Sequence, residues 1–309
     1  MKAIMYHYVR EKDDRYPNFR YLDFADFKRQ LDHFQTTYGF VSRAEWNAFI
    51  HTGKLGSAKG KVLLTFDDAP ICSYSYAFPE LKRRGLWGMF FASSLPHTQK
   101  RLLDVHRIHL LCGSFDGYAL YSNAREILRA TETPRDRNPN YKQSTYQTQK
   151  NHPGITEFKR LLNYEVPPDV RHSVLAELER SFAAQDVTVR EYYASPAQLA
   201  EMASAGMLVG SHSVSHPVMS RLSKSQQSRE INDSFKFIDA LTGSKGRSYC
   251  HPYGGFHSFD NNTVELLNAA TVEFSFNVEA RDIEERDLKN SPHALPRYDC
   301  NEFPFGAAS

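Results

Sequence analysis

Three short stretches bring together residues that could do chemistry. "LTFDDAP" (64–70) puts two carboxylates, Asp67 and Asp68, side by side at the end of an apolar run. "SHSVSH" (211–216) places His212 and His216 four apart, and "CHPYGG" (250–255) sets a proline and two glycines around Tyr253. Each has a plain reading alone: a turn cap, two surface imidazoles, an ordinary turn. Together they say more. One carboxylate and two imidazoles make a divalent-metal site with positions left for water and substrate. The other carboxylate can then serve as general base on a water whose pKa the metal lowers toward ~7. A tight turn offers backbone N–H groups to an oxyanion. The set reads as metal-assisted hydrolysis of an amide or ester.

These residues need elements that end at one place. "KAIMYHYV", "GKVLLTFDD", "WGMFFAS", "MLVGSHSVSH", "RSYCHPYGG" and "VEFSFNV" read as strands, and each group above sits where one of them ends. "FADFKRQLDHF" spaces Phe24, Phe27, Leu31 and Phe34 for a helix face. "SPAQLAEMASAG" has Ser195 as N-cap, Pro196 at N1 and Gly206 past the end. "SKSQQSREINDSFKFIDALTG" opens on a Ser223–Gln226 capping box and stops at Gly243. The β, α alternation predicts parallel strands with crossover helices, with the active groups at the strands' C-terminal ends. Gly210 and Pro217 argue against a regular helix around the two histidines, so a loop is expected to carry both. "VEFSFNV" alternates and predicts one buried face through Val278.

Between about 97 and 190 the rhythm breaks. Residues 131–154 are polar with few aliphatic side chains, while "DVRHSVLAELERSF" repeats Val170, Val174, Leu178 and Phe182. This stretch is expected to be a mostly helical insertion with a loose loop. The whole chain, 1–309, is read as one catalytic domain carrying it.

A net charge of +2 over 309 residues does not point to nucleic acid as the partner. The 17 Tyr and 21 Phe could line a carbohydrate groove or fill a core. No run approaches the ~18 apolar residues of a spanning helix. The N-terminus lacks a long apolar signal region, and the four cysteines show no CxxC pair. Both features lead to a cytoplasmic expectation.

With these motifs in view, the sequence resembles the polysaccharide deacetylases, carbohydrate esterase family 4, whose shared unit is the NodB-homology domain. "TFDDAP" resembles that family's TFDDG motif with Ala69 replacing Gly, "HSVSH" fits H-[ST]-x-x-H, and "KAIMYHYV" is similar to the family's opening strand. "CHPYGG" sits where the family has a Pro-aromatic-Gly turn. The resemblance covers most of 1–96 and 195–309, not the insertion. It implies a distorted (β/α)7 barrel and a bound divalent metal, zinc first. It implies Asp67 as catalytic base, and Asp68, His212 and His216 as metal ligands. Tyr253 would lend its backbone N–H to the oxyanion, and Ser213 would brace the loop.

Two departures stand out. Many members carry Arg at the start of the third motif, where this chain has Cys250. Arg297, in "LPRYD" near the last strand, is the expected substitute, against the plain alternative of a surface ion pair. The family's late Leu-x-His, source of the general acid, has no clear counterpart. His106 in the insertion is preferred as acid because an insertion after a barrel strand is placed to cap the cavity. His109, His293, His7 and His251 are the other options.

The resemblance implies an N-deacetylase acting on an N-acetylated sugar or glycan unit. A nucleotide- or lipid-linked precursor of a surface polysaccharide would suit a cytoplasmic enzyme. A hydrolase of another small amide on the same fold and a catalytically silent carbohydrate-binding relative are the alternatives. A non-haem iron oxygenase shares the two-His, one-carboxylate set, but the α/β alternation argues against it.

Overall fold

Seven short parallel strands carry the candidate residues: β1 (Lys2–Tyr6), β2 (Val62–Phe66), β3 (Met89–Ala92), β4 (Leu208–Ser211), β5 (Arg247–Cys250), β6 (Val272–Phe276) and β7 (Tyr298–Asp299). The computed structural model describes residues 1–133, 145, 151–243 and 246–308. Most of the polar stretch 131–154, expected to be a loop, lies outside the described residues. The sheet order is β6-β5-β4-β3-β2-β1-β7. Leu295 bridges Phe276 of β6, and three residues later Tyr298 pairs with Ile4 of β1. The last segment therefore touches both ends of a curled sheet, as a distorted (β/α)7 barrel requires.

Burial explains the strands. Every residue of β2 is buried, which is why it reads as a continuous apolar run rather than an alternating one. Leu64 and Phe66 join the core cluster that holds Phe27, Leu31 and Phe34 of the Phe24–Thr37 helix. Leu63, pointing the other way, joins Ala3, Met89, Phe91 and Phe276. Phe66 stacks on Phe90 at 4.5 Å and on Tyr6 at 5.1 Å.

The helix boundaries follow their caps. Ser195 opens the Pro196–Ser204 helix with a capping box to Gln198. Ser223 opens the Lys224–Thr242 helix in the same way, and Gly243, at φ 75°, closes it in the left-handed conformation. The β6 expectation needs one correction. Ser275 is buried along with Phe274 and Phe276, while Val278 lies beyond the strand and is partly exposed. Ser275 can face the interior because its hydroxyl lies 3.3 Å from His293 Nδ1.

The described residues divide into two compact units. The first comprises Met1–Lys12, Tyr21–Lys100 and Val189–Ser309, and holds the sheet; the second comprises Asp13–Arg20 and Arg101–Thr188. The second is helical, built on Asp104–Ser114, Gly117–Ala130, Pro153–Arg160 and Pro168–Ser181 around Ile108, Leu120, Phe158, Val174 and Leu178. Val170 and Phe182 are only partly buried at its margin. The sequence did not suggest that residues 13–20 join this unit. They do so because Asn18 donates to Gly113 O (2.9 Å) and Phe19 packs on the bare Cα of Gly113, where a Cβ would lie 2.9 Å from the ring.

Phe66→Ala is expected to cost about 3–5 kcal/mol through loss of buried aromatic contact, seen as a lower urea midpoint for the sheet-bearing unit.

Candidate active site

Asp67 and Asp68 follow β2 directly. The Asp67 N–H donates to Tyr6 O at 2.9 Å, so the β1–β2 ladder continues one residue past the strand. The backbone then turns sharply: Asp68 has φ 67° and Ala69 φ 46°. Left-handed backbone at two consecutive non-glycine residues is costly and needs support from its surroundings. It accounts for the glycine usual at position 69 in the resembling motif. The reversal also answers how neighbouring residues can serve one place, since on a straight strand they would face opposite ways.

Asp67 meets Arg297. The guanidinium donates from Nη1 to Oδ1 and from Nη2 to Oδ2, both at 2.8 Å. Arg297 is fully buried and is itself held, donating from Nε to Asn277 O and from Nη1 to Thr65 Oγ1, both at 3.1 Å. Burial would raise the Asp67 carboxyl, but the charge and hydrogen bonds of Arg297 outweigh it and hold the group at about 2. Burial likewise works against the Arg297 charge, and Asp67 keeps its pKa above the ordinary value. Cys250 fills the corner: Arg297 Nη2 lies 3.0 Å from its Sγ and the thiol lies 3.4 Å from Asp67 Oδ2. Burial pushes this thiol well above its ordinary pKa, so it stays protonated.

Asp68 faces the histidines. Its Oδ1 is 3.5 Å from His212 Nε2 and 3.6 Å from His216 Nε2. His212 Nδ1 lies 2.8 Å from Cys250 O. A carbonyl only accepts, so Nδ1 carries the proton and Nε2 presents its lone pair. Burial lowers the His212 pKa, which favours the neutral, ligating form. With His212 neutral, its contact with Asp68 is not an ion pair.

Two donor groups in this region could hold an ion: Asp68, His212 and His216, and separately Asp67, His212 and Cys250, with the atoms of each within 4.8 Å of one another. The second is the poorer host, since a buried guanidinium already occupies Asp67 and Cys250. The first offers two imidazoles and a carboxylate, a set that suits a divalent transition metal.

Tyr253 has φ 63°, and its ring meets His216 edge-on at 4.9 Å. The turn is fixed by Gly254, at φ 73°, where a Cβ would lie 2.3 Å from a Val278 methyl. His7 follows β1 and is half-buried. Its place, one residue past the Tyr6–Phe66 pair, sets it beside Asp67, whose carboxyl responds to its charge. His251 and His293 serve the structure instead: His251 Nε2 lies 2.8 Å from His293 O, and burial lowers them to about 3 and about 4. His106 is buried in the Asp104–Ser114 helix of the second unit.

The first unit thus brings together Asp67, Asp68, His212, His216, Tyr253 and Arg297. Sequence reasoning gave no weight to Thr65 and Asn277, which hold Arg297; the Asn277 contact runs through a backbone carbonyl and leaves no side-chain signal.

Arg297→Met should destabilise the protein by about 3–5 kcal/mol at neutral pH, because it strands a buried carboxylate. A depressed carboxyl contributes stability above its unfolded pKa and loses it as pH falls through about 2. In the variant, protonation relieves the penalty instead, so the gap should narrow as pH falls. Chemical denaturation at neutral and acidic pH measures it.

The polysaccharide deacetylase family model matches residues 176–275, a span that holds His212, His216 and Tyr253 but not the two aspartates. The peptidoglycan-N-acetylmuramic acid deacetylase PdaC of Bacillus subtilis is 37% identical over 67 residues, 22% of this chain and 14% of that protein. The fold is similar to that of the Streptococcus pyogenes deacetylase PplD in complex with acetate (TM-score 0.58, 16% identity, 97% of this chain and 91% of that one). It is similar also to IcaB from Ammonifex degensii (TM-score 0.56, 17% identity, 96% and 90%).

Proposed function

We propose a metal-dependent N-deacetylase that releases acetate from an N-acetylated sugar or glycan unit, a reading supported by the polysaccharide deacetylase match over residues 176–275 and by a fold similar to that of deacetylases. The observation that carries this reading is the division of labour at 67–68. Asp67 is held ionised by Arg297, and Asp68 is turned to two imidazoles.

Asp68, His212 and His216 would hold the ion. Two imidazoles and one carboxylate suit zinc, with room left for water and substrate. A divalent ion in that place acidifies a water and polarises the acetamide carbonyl. Asp67 takes the proton of the attacking water as its oxygen bonds to the carbonyl carbon. Arg297, bonded to both carboxylate oxygens, fixes the plane in which Asp67 meets that proton. The Tyr253 N–H donates to the developing oxyanion. The carbon–nitrogen bond then breaks, and the amine leaves with a proton from a general acid, giving acetate and the free amino sugar.

His7 is the better supported acid, because it follows β1 where Asp67 follows the neighbouring β2, and the Asp67 carboxyl responds to it. His106, preferred from the sequence, is the alternative acid.

The names of the relatives, a peptidoglycan deacetylase among them, favour a glycan substrate. Three buried cysteines, all unpaired, suit a reducing compartment. A nucleotide- or lipid-linked precursor of a surface polysaccharide follows from that setting. No helix of the described residues is long and apolar enough to cross a membrane.

Asp68→Ala, His212→Ala and His216→Ala should each lose bound metal, while Asp67→Asn keeps it and loses roughly 10²- to 10⁴-fold in acetate release. Metal analysis beside an acetate assay on acetylated sugars checks this. Retained metal in the histidine variants would sink the site.

His7→Asn should cost at least roughly 100-fold in kcat with metal content unchanged. The same loss in His106→Asn, with His7→Asn active, would move the acid to the second unit.

A further inference from the structure

We propose that Glu230, on the Lys224–Thr242 helix, is a positioning residue that sets the spacing of His212 and His216, and through it the affinity of the site for metal. This rests on the reading of those histidines as ligands.

The segment between them, Ser213–Val214–Ser215, belongs to no helix or strand. Ser213 and His216 both have left-handed backbone, at φ 66° and 56°, so the loop cannot hold its shape by propensity. Its carbonyls are used on one side: Ser94 N–H donates to Ser213 O at 3.2 Å and Leu95 N–H to Val214 O at 3.0 Å. Its donors end mostly on Glu230. The N–H groups of Val214 and Ser215 donate to Oε2 at 2.9 and 2.8 Å, and Ser215 Oγ donates to Oε1 at 2.6 Å. One turn along the same helix, the Ser234 hydroxyl meets Ser211 Oγ at 2.6 Å, and Ser211 Oγ accepts from Ser213 N–H at 3.2 Å. The chain from Ser211 to Ser215 is therefore tied to one helix face at two points, and His216 N–H closes the loop on Ser213 Oγ at 3.0 Å.

A carboxylate suits this place. It is acceptor-only and takes several donors at once. A glutamine of the same shape has one accepting oxygen: with it on the two N–H groups, its NH₂ must turn the Ser215 hydroxyl from donor to acceptor, and every contact loses the charge that strengthens it. The loop would then relax, and two imidazoles anchored at its ends would leave the geometry that the ion requires.

The test is zinc binding by the full chain, read by competition with a chromophoric chelator, beside the melting temperature of the metal-free form. Glu230→Gln should weaken zinc roughly 10- to 100-fold, the range of changes behind first ligands, with the metal-free melting temperature close to that of the parent. Excess zinc should restore part of the activity. Unchanged zinc affinity in Glu230→Gln would overturn the proposal. If that variant does not fold, Ser215→Ala decides: weakened zinc binding supports the clamp and unchanged binding rejects it. His212→Ala run in parallel separates the two readings. If it too keeps zinc, the metal site itself is misplaced; if it loses zinc while Glu230→Gln does not, only the clamp fails.

Discussion

The buried pair of Asp67 and Arg297 is the contact on which the rest depends. Two charges out of water are tolerated only when each is fully paired. Here both carboxylate oxygens accept from the guanidinium, and the remaining donors find Thr65, Asn277 and Cys250. The pair also has a topological consequence. Arg297 lies between Leu295, which bridges β6, and Tyr298, which pairs with β1. Its side chain reaches the end of β2, so the same residue that holds Asp67 sits in the segment meeting both ends of the sheet. Sheet curvature and catalytic geometry are hard to change separately.

Backbone strain collects at the same place. Asp68, Ala69, Ser213, His216 and Tyr253 all lie in the left-handed region, where a non-glycine residue is uncommon. They come from three different strand ends and converge because each chain must turn at once on leaving the sheet. Rigid strands buried on both faces absorb that cost. The turns in return aim a carboxylate, two imidazoles and a tyrosine at one region.

Much of this was legible in the sequence, and the reason is local. Continuous apolar runs such as Val62–Phe66 mark buried parallel strands, and the Ser195 and Ser223 capping boxes fixed helix starts to the residue. The candidate metal group was readable because its members lie in two short motifs. What escaped depends on distance in the chain. Residues 13–20 join the helical unit through packing on Gly113, which no periodicity reveals. Ser275 is buried in a strand that looked one-sided because its polar partners come from elsewhere. Glu230 looked like one more charge on an amphipathic helix, since its partners are backbone N–H groups fifteen and sixteen residues away. The general acid stayed ambiguous because thirteen histidines give type without position.

Cys250 shows what the site holds fixed and what it lets vary. The resembling motif places an arginine there, and this chain places a small thiol in contact with both members of the pair. A guanidinium reaching Asp67 from residue 297 needs room, and an arginine at 250 would contest the same volume with a second positive charge. Cysteine leaves the space open, fills the residue of it and, kept protonated by burial, adds no charge beside the carboxylate. The constraint is therefore one cation and one ordered anion at this point of the barrel. The strand that supplies the cation can change so long as the position it vacates becomes small and neutral.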